Sequence, residues 1–337
     1  MIFFVLFFGT FRRVWQQLPA GERNRSSRVA MNFCHQPFFK VSHAIFPEPP
    51  IRMTVTKDPF PVSDTAALVM LWAGGYYAGM PVTGKYLSQL DLSAGRPLLE
   101  RYNTICPWYS EVIINRKHFI RSSAEEIIRD GRETVIVNLG AGFSPLALEL
   151  APFLSDRVRF VEMDMRNMVQ KKHLYSTLIP DQCRFISCME ADIGDTDFLA
   201  KSLSGLTGTE RTRLVVIMEG LTYYIERPVM EQVLACLSGL TREQYILFEH
   251  LKPCRLIGKE RRYIPHAIFS HVRDYTGMER MTTYSEDEIR SMVGPSYSCS
   301  YSDMDKMERR RTGTNAFFPT PGSGWLSCAI SSRTTGE

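Results

Sequence analysis

The first strong pattern along the chain is a nearly unbroken apolar stretch, AALVMLWAGGYY, within residues 64–77. It predicts a buried helix. Residues 97–129 keep a helical spacing of apolar positions with a break at Pro107, so the region before residue 130 reads as helical throughout. The pattern then changes. Five short β-type runs follow, TVIVNL (134–139), RVRFVEMD (157–164), CRFISC (183–188), RLVVIM (213–218) and QYILFEH (244–250), separated by helical segments such as RNMVQKKHLYSTL and RPVMEQVLACLSGL. Strands alternating with helices predict a parallel sheet covered on both faces. Ser144 is expected to cap a helix that carries Pro145 just inside its start, and Pro228 is expected at the start of another. Ser285-Glu286-Asp287-Glu288 has the spacing of a capping box. Two further β-type runs, SYSCSYS and WLSCAI, are joined by RRRTGTNAFFPTPGSG, which reads as a loop and not a helical crossover, so this last pair is expected to be antiparallel. The fold class is therefore α/β: a seven-stranded, mostly parallel sheet with an antiparallel last strand, plus an N-terminal helical cap. The expected divisions are a leader over 1–52, a cap over 53–130 and a sheet domain over 131–337.

Candidate chemistry lies at the carboxyl ends of the predicted strands, where ligands of such sheets bind. Gly140-Ala141-Gly142 follows the first strand directly. Glycines there permit a tight turn and let a ligand approach the strand end without a Cβ in the way. A dinucleotide loop needs a third glycine at position 145 for close helix packing, and that position is proline. This counts against a pyrophosphate ligand and leaves others, among them S-adenosylmethionine. The second strand ends in Asp164, 22 residues beyond Gly142. An ionised carboxyl has two acceptor oxygens and can take both hydroxyls of a ribose. Glu162 shares its face. After the third strand, Asp192 and Ile193 suit the amino group and face of an adenine; helix capping explains Asp192 as well. The fourth strand runs into Glu219-Gly220-Leu221-Thr222-Tyr223-Tyr224. An acid at the centre of this edge is costly without a partner; a cationic methionine moiety would be one, and backbone donors would be another.

These motifs in order, with Asn115-Arg116-Lys117-His118-Phe119-Ile120-Arg121 before them, resemble the leucine carboxyl methyltransferase family, which includes bacterial O-methyltransferases of polyketide pathways. The resemblance runs from about Asp64 to the carboxyl terminus. It implies a Rossmann-like sheet and S-adenosylmethionine as cofactor. It implies cofactor binding by Arg121, Gly140, Ala141, Gly142, Asp164, Asp192, Ile193 and Glu219, with Arg121 on the cofactor carboxylate. The chain departs from the family in FSPLALEL after the glycine turn, where a polar stretch is usual, and in VMLW of the first helix, where a lysine is usual.

Transfer of a methyl group from a sulfonium is an in-line displacement, so positioning is the main requirement. A carboxylate acceptor needs no base, whereas a phenol or alcohol benefits from one. Tyr223, Tyr224 and His250 are the expected catalytic residues, with His250 the base favoured by position; Glu249, His266 and His271 are further candidates. Arg261, Arg262 and Arg273 suit an acidic substrate or a solvated basic face. The implied reaction methylates a carboxylate or hydroxyl oxygen of a small molecule or of a peptide C-terminus. The alternatives are a cofactor-binding protein without chemistry and, less favoured, a nicotinamide oxidoreductase.

Composition narrows the partners. The net charge is +4, but residues 1–52 hold seven Lys/Arg against two Asp/Glu. The rest of the chain is close to neutral and offers no basic field for nucleic acid. The leader opens MIFFVLFFG before its charges, the reverse of a secretory signal, and no apolar run reaches the roughly 18 residues that span a bilayer. The eight cysteines are dispersed without metal-site spacing. Reduced thiols, no metal and a cytoplasmic location are expected.

Overall fold

The computed structural model describes residues 59–207, 211–238, 240–276 and 279–334, and the expected leader lies outside them. Seven strands form one sheet: β1 (Thr134–Leu139), β2 (Val158–Asp164), β3 (Ile186–Glu190), β4 (Arg213–Met218), β5 (Glu243–Leu251), β6 (Ser298–Asp303) and β7 (Leu326–Thr334). Their order is β3-β2-β1-β4-β5-β7-β6. All neighbours are parallel except β7, which runs antiparallel to both β5 and β6. β1 and β4 are buried at every position, as strands covered on both faces must be.

The two faces alternate residue by residue. Ile136, Phe160, Val215, Ile217 and Leu247 pack into one apolar cluster with the cap, while Val137, Val161, Val216, Met218, Ile246 and Phe248 belong to a second on the other face. The cap is built from α1 (Asp64–Trp72), α2 (Pro81–Leu87), α3 (Arg96–Ile105) and α4 (Tyr109–Ile128). Trp72 of α1 stacks on Tyr109 of α4 at 4.4 Å between ring centres and on Tyr102 of α3 at 6.0 Å. The other face is covered by α6 (Thr196–Thr207), α7 (Arg227–Leu237) and α9 (Glu286–Val293), which contribute Leu199, Leu203, Met230, Val233 and Ile289 to that cluster. Between them in sequence come α5 (Met168–Leu178), after β2, and α8 (Tyr263–Thr276), after β5. The Ser285–Glu288 capping box opens α9 with both reciprocal bonds made.

Four local expectations change. The first cap helix stops at Trp72 and resumes as a separate turn, Gly74–Tyr77. Ser144 caps nothing: only one helical turn, Leu146–Glu149, follows it, with no side-chain cap bond. Pro152, lacking an N–H and clashing with the carbonyl four residues back, prevents a longer α-helix there. The third strand starts at Ile186, because Cys183 closes the helical turn Pro180–Cys183. The link between the last two strands begins with a helix, α10 (Met304–Thr312). Met304 and Met307 are buried one turn apart, Asp305 lies in its first turn and arginines in its last, and Gly313 at φ +78 ends it. The strands it connects are antiparallel, as expected.

Candidate active site

Strand register builds the site. Leu139 lies opposite both Met163 and Met218, so the residues just beyond, Gly140, Asp164 and Glu219, emerge at one level on the carboxyl edge. This is where neighbouring connections from β1 and β4 diverge, the position at which open α/β sheets bind ligands. Gly140 and Gly142 both adopt positive φ, +65 and +46. A Cβ on Gly140 would meet the Leu221 side chain at 2.6 Å, so Gly140 serves close packing between the two loops. A Cβ on Gly142 would meet nothing within 4 Å, so this glycine borders open space. The Gly142 N–H donates to Asp164 Oδ2 at 2.9 Å, which ties the loop to the end of β2 and leaves the other carboxylate oxygen available. The Ala141 N–H is already used by the Met163 carbonyl at 3.1 Å.

Glu162 does not share this role. Wholly buried, it pairs with Lys171 of α5 at 2.9 Å and accepts a bond from Tyr175 at 3.3 Å. Asp192 is exposed and accepts from the Gly194 N–H at 2.8 Å; the helix cap of α6 is formed by Asp195, whose carboxylate accepts from Phe198 at 3.1 Å. Ile193 is half-buried beside it.

Glu219 finds its cationic partners in α4. It accepts from Arg116 Nε at 3.0 Å and pairs with Lys117 Nζ at 3.0 Å. The same arginine reaches Glu249 through Nη1 at 3.4 Å, and Glu249 also accepts from the Gly220 N–H. Alternation along the strands explains this grouping: Glu219 continues the face of Ile217, and Glu249 that of Leu247, so both carboxylates turn toward the cap. Burial by itself would raise the Glu219 carboxyl, but Lys117 and Arg116 outweigh it and hold it below its usual value. Burial wins at Glu249, where Arg116 offsets only part of the rise.

His250 follows the opposite parity and points to the other face. Its Nδ1 bonds the Tyr284 carbonyl at 2.9 Å, and burial lowers its pKa to about 4. The structure therefore does not bring His250 together with Tyr223 and Tyr224. Those two tyrosines line a cavity of about 40 Å³ under the cap, with Trp72, Tyr102, Tyr109 and Phe269. Arg116 is the charged side chain of this wall. Burial drives both phenols far above their ordinary value, so they stay protonated and act as donors, not bases. His266 is exposed. Arg261 is committed to the Phe317 carbonyl at 2.7 Å, and Arg262 to that of Ile257 at 2.8 Å.

Arg121 is half-buried on α4 and pairs with Glu125 one turn along at 2.7 Å. Lys117, one turn before it on the same face, stands against Glu219. Arg116 and Lys117 were visible in the sequence only as part of the Asn-Arg-Lys stretch. Glu149 had no signal at all beyond an acid in an apolar run. It is buried, its Oε2 makes no hydrogen bond, and burial raises its pKa to about 7 against the pull of Lys117. The Nε1 of Trp72 is also buried without a hydrogen-bond partner.

The architecture defines an α/β protein of the methyltransferase type. The sequence profile of leucine carboxyl methyltransferases matches residues 63–238, more than half of the chain, and the protein belongs to that family. Among solved structures it is similar to a candidate methyltransferase from Thermobifida fusca YX, with 15% identity, a TM-score of 0.56, and coverage of 87% of this chain and 100% of the other. It is also similar to a DUF574 family protein from Streptomyces avermitilis, with 11% identity, a TM-score of 0.56, and coverage of 81% and 98%. At these identities the likeness concerns the fold. No curated protein matches the chain significantly. Family membership makes the protein a methyltransferase that uses S-adenosylmethionine and decides against the nicotinamide alternative. Among the described residues no helix is long and apolar enough to cross a membrane, no group of His, Cys, Asp or Glu is arranged to hold a metal, and the cysteines are free thiols.

Proposed function

We propose that the chain methylates an oxygen, carboxylate or hydroxyl, of a small and largely apolar acceptor. The observation that carries this reading is the apolar lining of the cavity under the cap, Leu68, Trp72, Tyr102, Tyr109, Tyr224 and Phe269; at about 40 Å³ the cavity is smaller than an acceptor, so the cap must shift to admit one. Such a wall suits an apolar body and leaves few groups to satisfy a charged peptide segment. Its one charged lining residue, Arg116, is already neutralised by Glu219 and Glu249. Arg116 and Tyr223 lie against Gly220, so this cavity adjoins the carboxyl edge of β4.

In this reading the backbone of Gly140, Ala141 and Gly142 cradles the cofactor and Asp164 takes its ribose hydroxyls. Asp192 and Ile193 meet the adenine. Arg121, with Lys117 beside it, faces the cofactor carboxylate, and Glu219 its cationic end. When bound, S-adenosylmethionine supplies an electrophilic methyl group on sulfur. The chain's contribution is alignment and exclusion of water: the cap closes over the cavity, and Tyr223 and Tyr224 can donate hydrogen bonds to the acceptor.

The test is calorimetric titration with S-adenosylmethionine, S-adenosylhomocysteine and NAD in parallel, followed by labelled-methyl turnover on a panel of apolar carboxylic acids, phenols and charged peptides. Saturable binding of the first two ligands, loss of that binding in Asp164→Ala, and methylation confined to the apolar acceptors are expected. Methylation of the peptides in preference to the small acceptors would overturn the reading.

A further inference from the structure

Methylation of a hydroxyl releases a proton, and the favoured base from sequence, His250, faces away from the cavity. Among the described histidines only His271 bonds a side chain of the cavity wall: its Nδ1 lies 2.7 Å from the Tyr102 hydroxyl. The two rings meet edge to face, 5.6 Å between centres. Tyr102 comes from α3 and His271 from α8, so the bond joins the cap to the segment inserted after β5. Tyr102 is itself buried and stacked on Trp72. The other titratable side chains of the wall are Tyr109, Tyr223 and Tyr224, all pushed to high pKa by burial, and the paired Arg116. Around Tyr102 stand Arg101 on α3 and Tyr224 across the cavity.

We propose that Tyr102 and His271 form a proton-accepting pair, which assigns the enzyme a hydroxyl-bearing acceptor, a phenol or an alcohol, in place of a carboxylate. The proposal rests on the reading of the cavity as the acceptor site. Burial keeps Tyr102 protonated, its pKa about 12, so it relays a proton and does not store a charge. With its hydrogen given to Nδ1 of His271, the Tyr102 oxygen accepts the O–H of the acceptor. As the acceptor oxygen bonds the methyl carbon and the C–S bond breaks, the electron pair of that bond stays on sulfur. The acceptor's proton passes to Tyr102 while Tyr102's own proton passes to Nδ1 of His271, where it remains when the methyl transfer is complete. Tyr102 is then a catalytic residue and His271 a positioning and proton-accepting residue behind it.

The test uses the full chain with labelled S-adenosylmethionine and a matched pair of small probes, phenol and benzoate, followed by mass spectrometry across pH 5–9. Methylation of phenol should rise with pH. His271→Gln and Tyr102→Phe should each lower it about a hundredfold and remove the rising limb. Both variants should bind S-adenosylhomocysteine with unchanged affinity, and Tyr102→Phe keeps the ring stack, so a folding defect is recognised by calorimetry. If His271→Gln is misfolded, Tyr102→Phe alone decides. Methylation of benzoate and not phenol, an unchanged pH profile in a folded variant, or cofactor binding with neither probe methylated would each overturn the pair. Failure to bind S-adenosylmethionine at all would instead overturn the reading of function on which the pair depends.

Discussion

Glu149 shows how a single side chain can oppose the fold that holds it. Its carboxyl has an ordinary pKa of 4.5 and rises to about 7 in the folded protein, because burial disfavours the charge more than Lys117 favours it. The native state thus binds the proton more tightly than the unfolded chain. Its contribution is fully present below pH 4.5 and is lost as pH rises through 7, on the order of 3 kcal/mol in all. Glu149→Gln should therefore raise the melting temperature at pH 8 and leave it nearly unchanged at pH 5. An equal shift at both pH values would refute the assignment. The two loop glycines make a second contrast at this scale. Both have positive φ, so alanine strains either by roughly 1 kcal/mol. At Gly140 the added methyl also collides with Leu221, whereas at Gly142 it enters open space. Gly140→Ala should mainly lower stability; Gly142→Ala should mainly lower affinity for S-adenosylhomocysteine, measured by calorimetry. The reverse ranking would contradict the site.

At the scale of elements, α4 is the structural link between cap and sheet. One turn of it carries Arg116 and Lys117 into the carboxyl edge, where they meet Glu219 from β4 and Glu249 from β5. Such a buried group of charges is not a large source of stability, since desolvation offsets most of the attraction, but removing one member leaves the others uncompensated. Arg116→Met should cost about 3–5 kcal/mol in denaturant unfolding, and a loss below about 1 kcal/mol would show that the carboxylates find other partners. The sequence indicated each of these residues separately: Glu219 as an acid needing a partner, Glu249 as a further candidate base, Arg116 only as part of the Asn-Arg-Lys stretch. It did not reveal that they form one network, because β4 and β5 become neighbours of α4 only when the cap folds over the sheet.

For the whole molecule, two buried groups act in opposite directions with pH. His250 falls from 6.5 to about 4 in the folded state, so its contribution is present above pH 6.5 and is lost as pH falls toward 4. Glu149 acts the other way between 4.5 and 7. Thermal unfolding should thus show its highest melting temperature near pH 5–6, and Glu149→Gln should move that maximum upward. A maximum that stays in place would mean that other groups dominate.

Most of the architecture was legible along the chain. Apolar runs such as TVIVNL and RLVVIM, short, rich in β-branched residues and bounded by turns, suit strands buried on both faces, and helical segments between them favour a parallel sheet. The glycine loop, Asp164 and Glu219 could be placed at its carboxyl edge because strand ends are local features. Pro152 shortened the helix after Ser144 by a local rule that the pattern of apolar positions does not express. What only the tertiary structure decided is which side chains share a space. His250 and Glu249 are adjacent in sequence, yet the two-residue period of a strand sends one to Tyr284 and the other to Arg116. Tyr102 and His271 are 169 residues apart and meet because α3 and α8 close over the same cavity. Strand and helix formation depends on neighbours along the chain, whereas the chemistry of a site depends on neighbours across it, which exist only once the cap has packed onto the sheet.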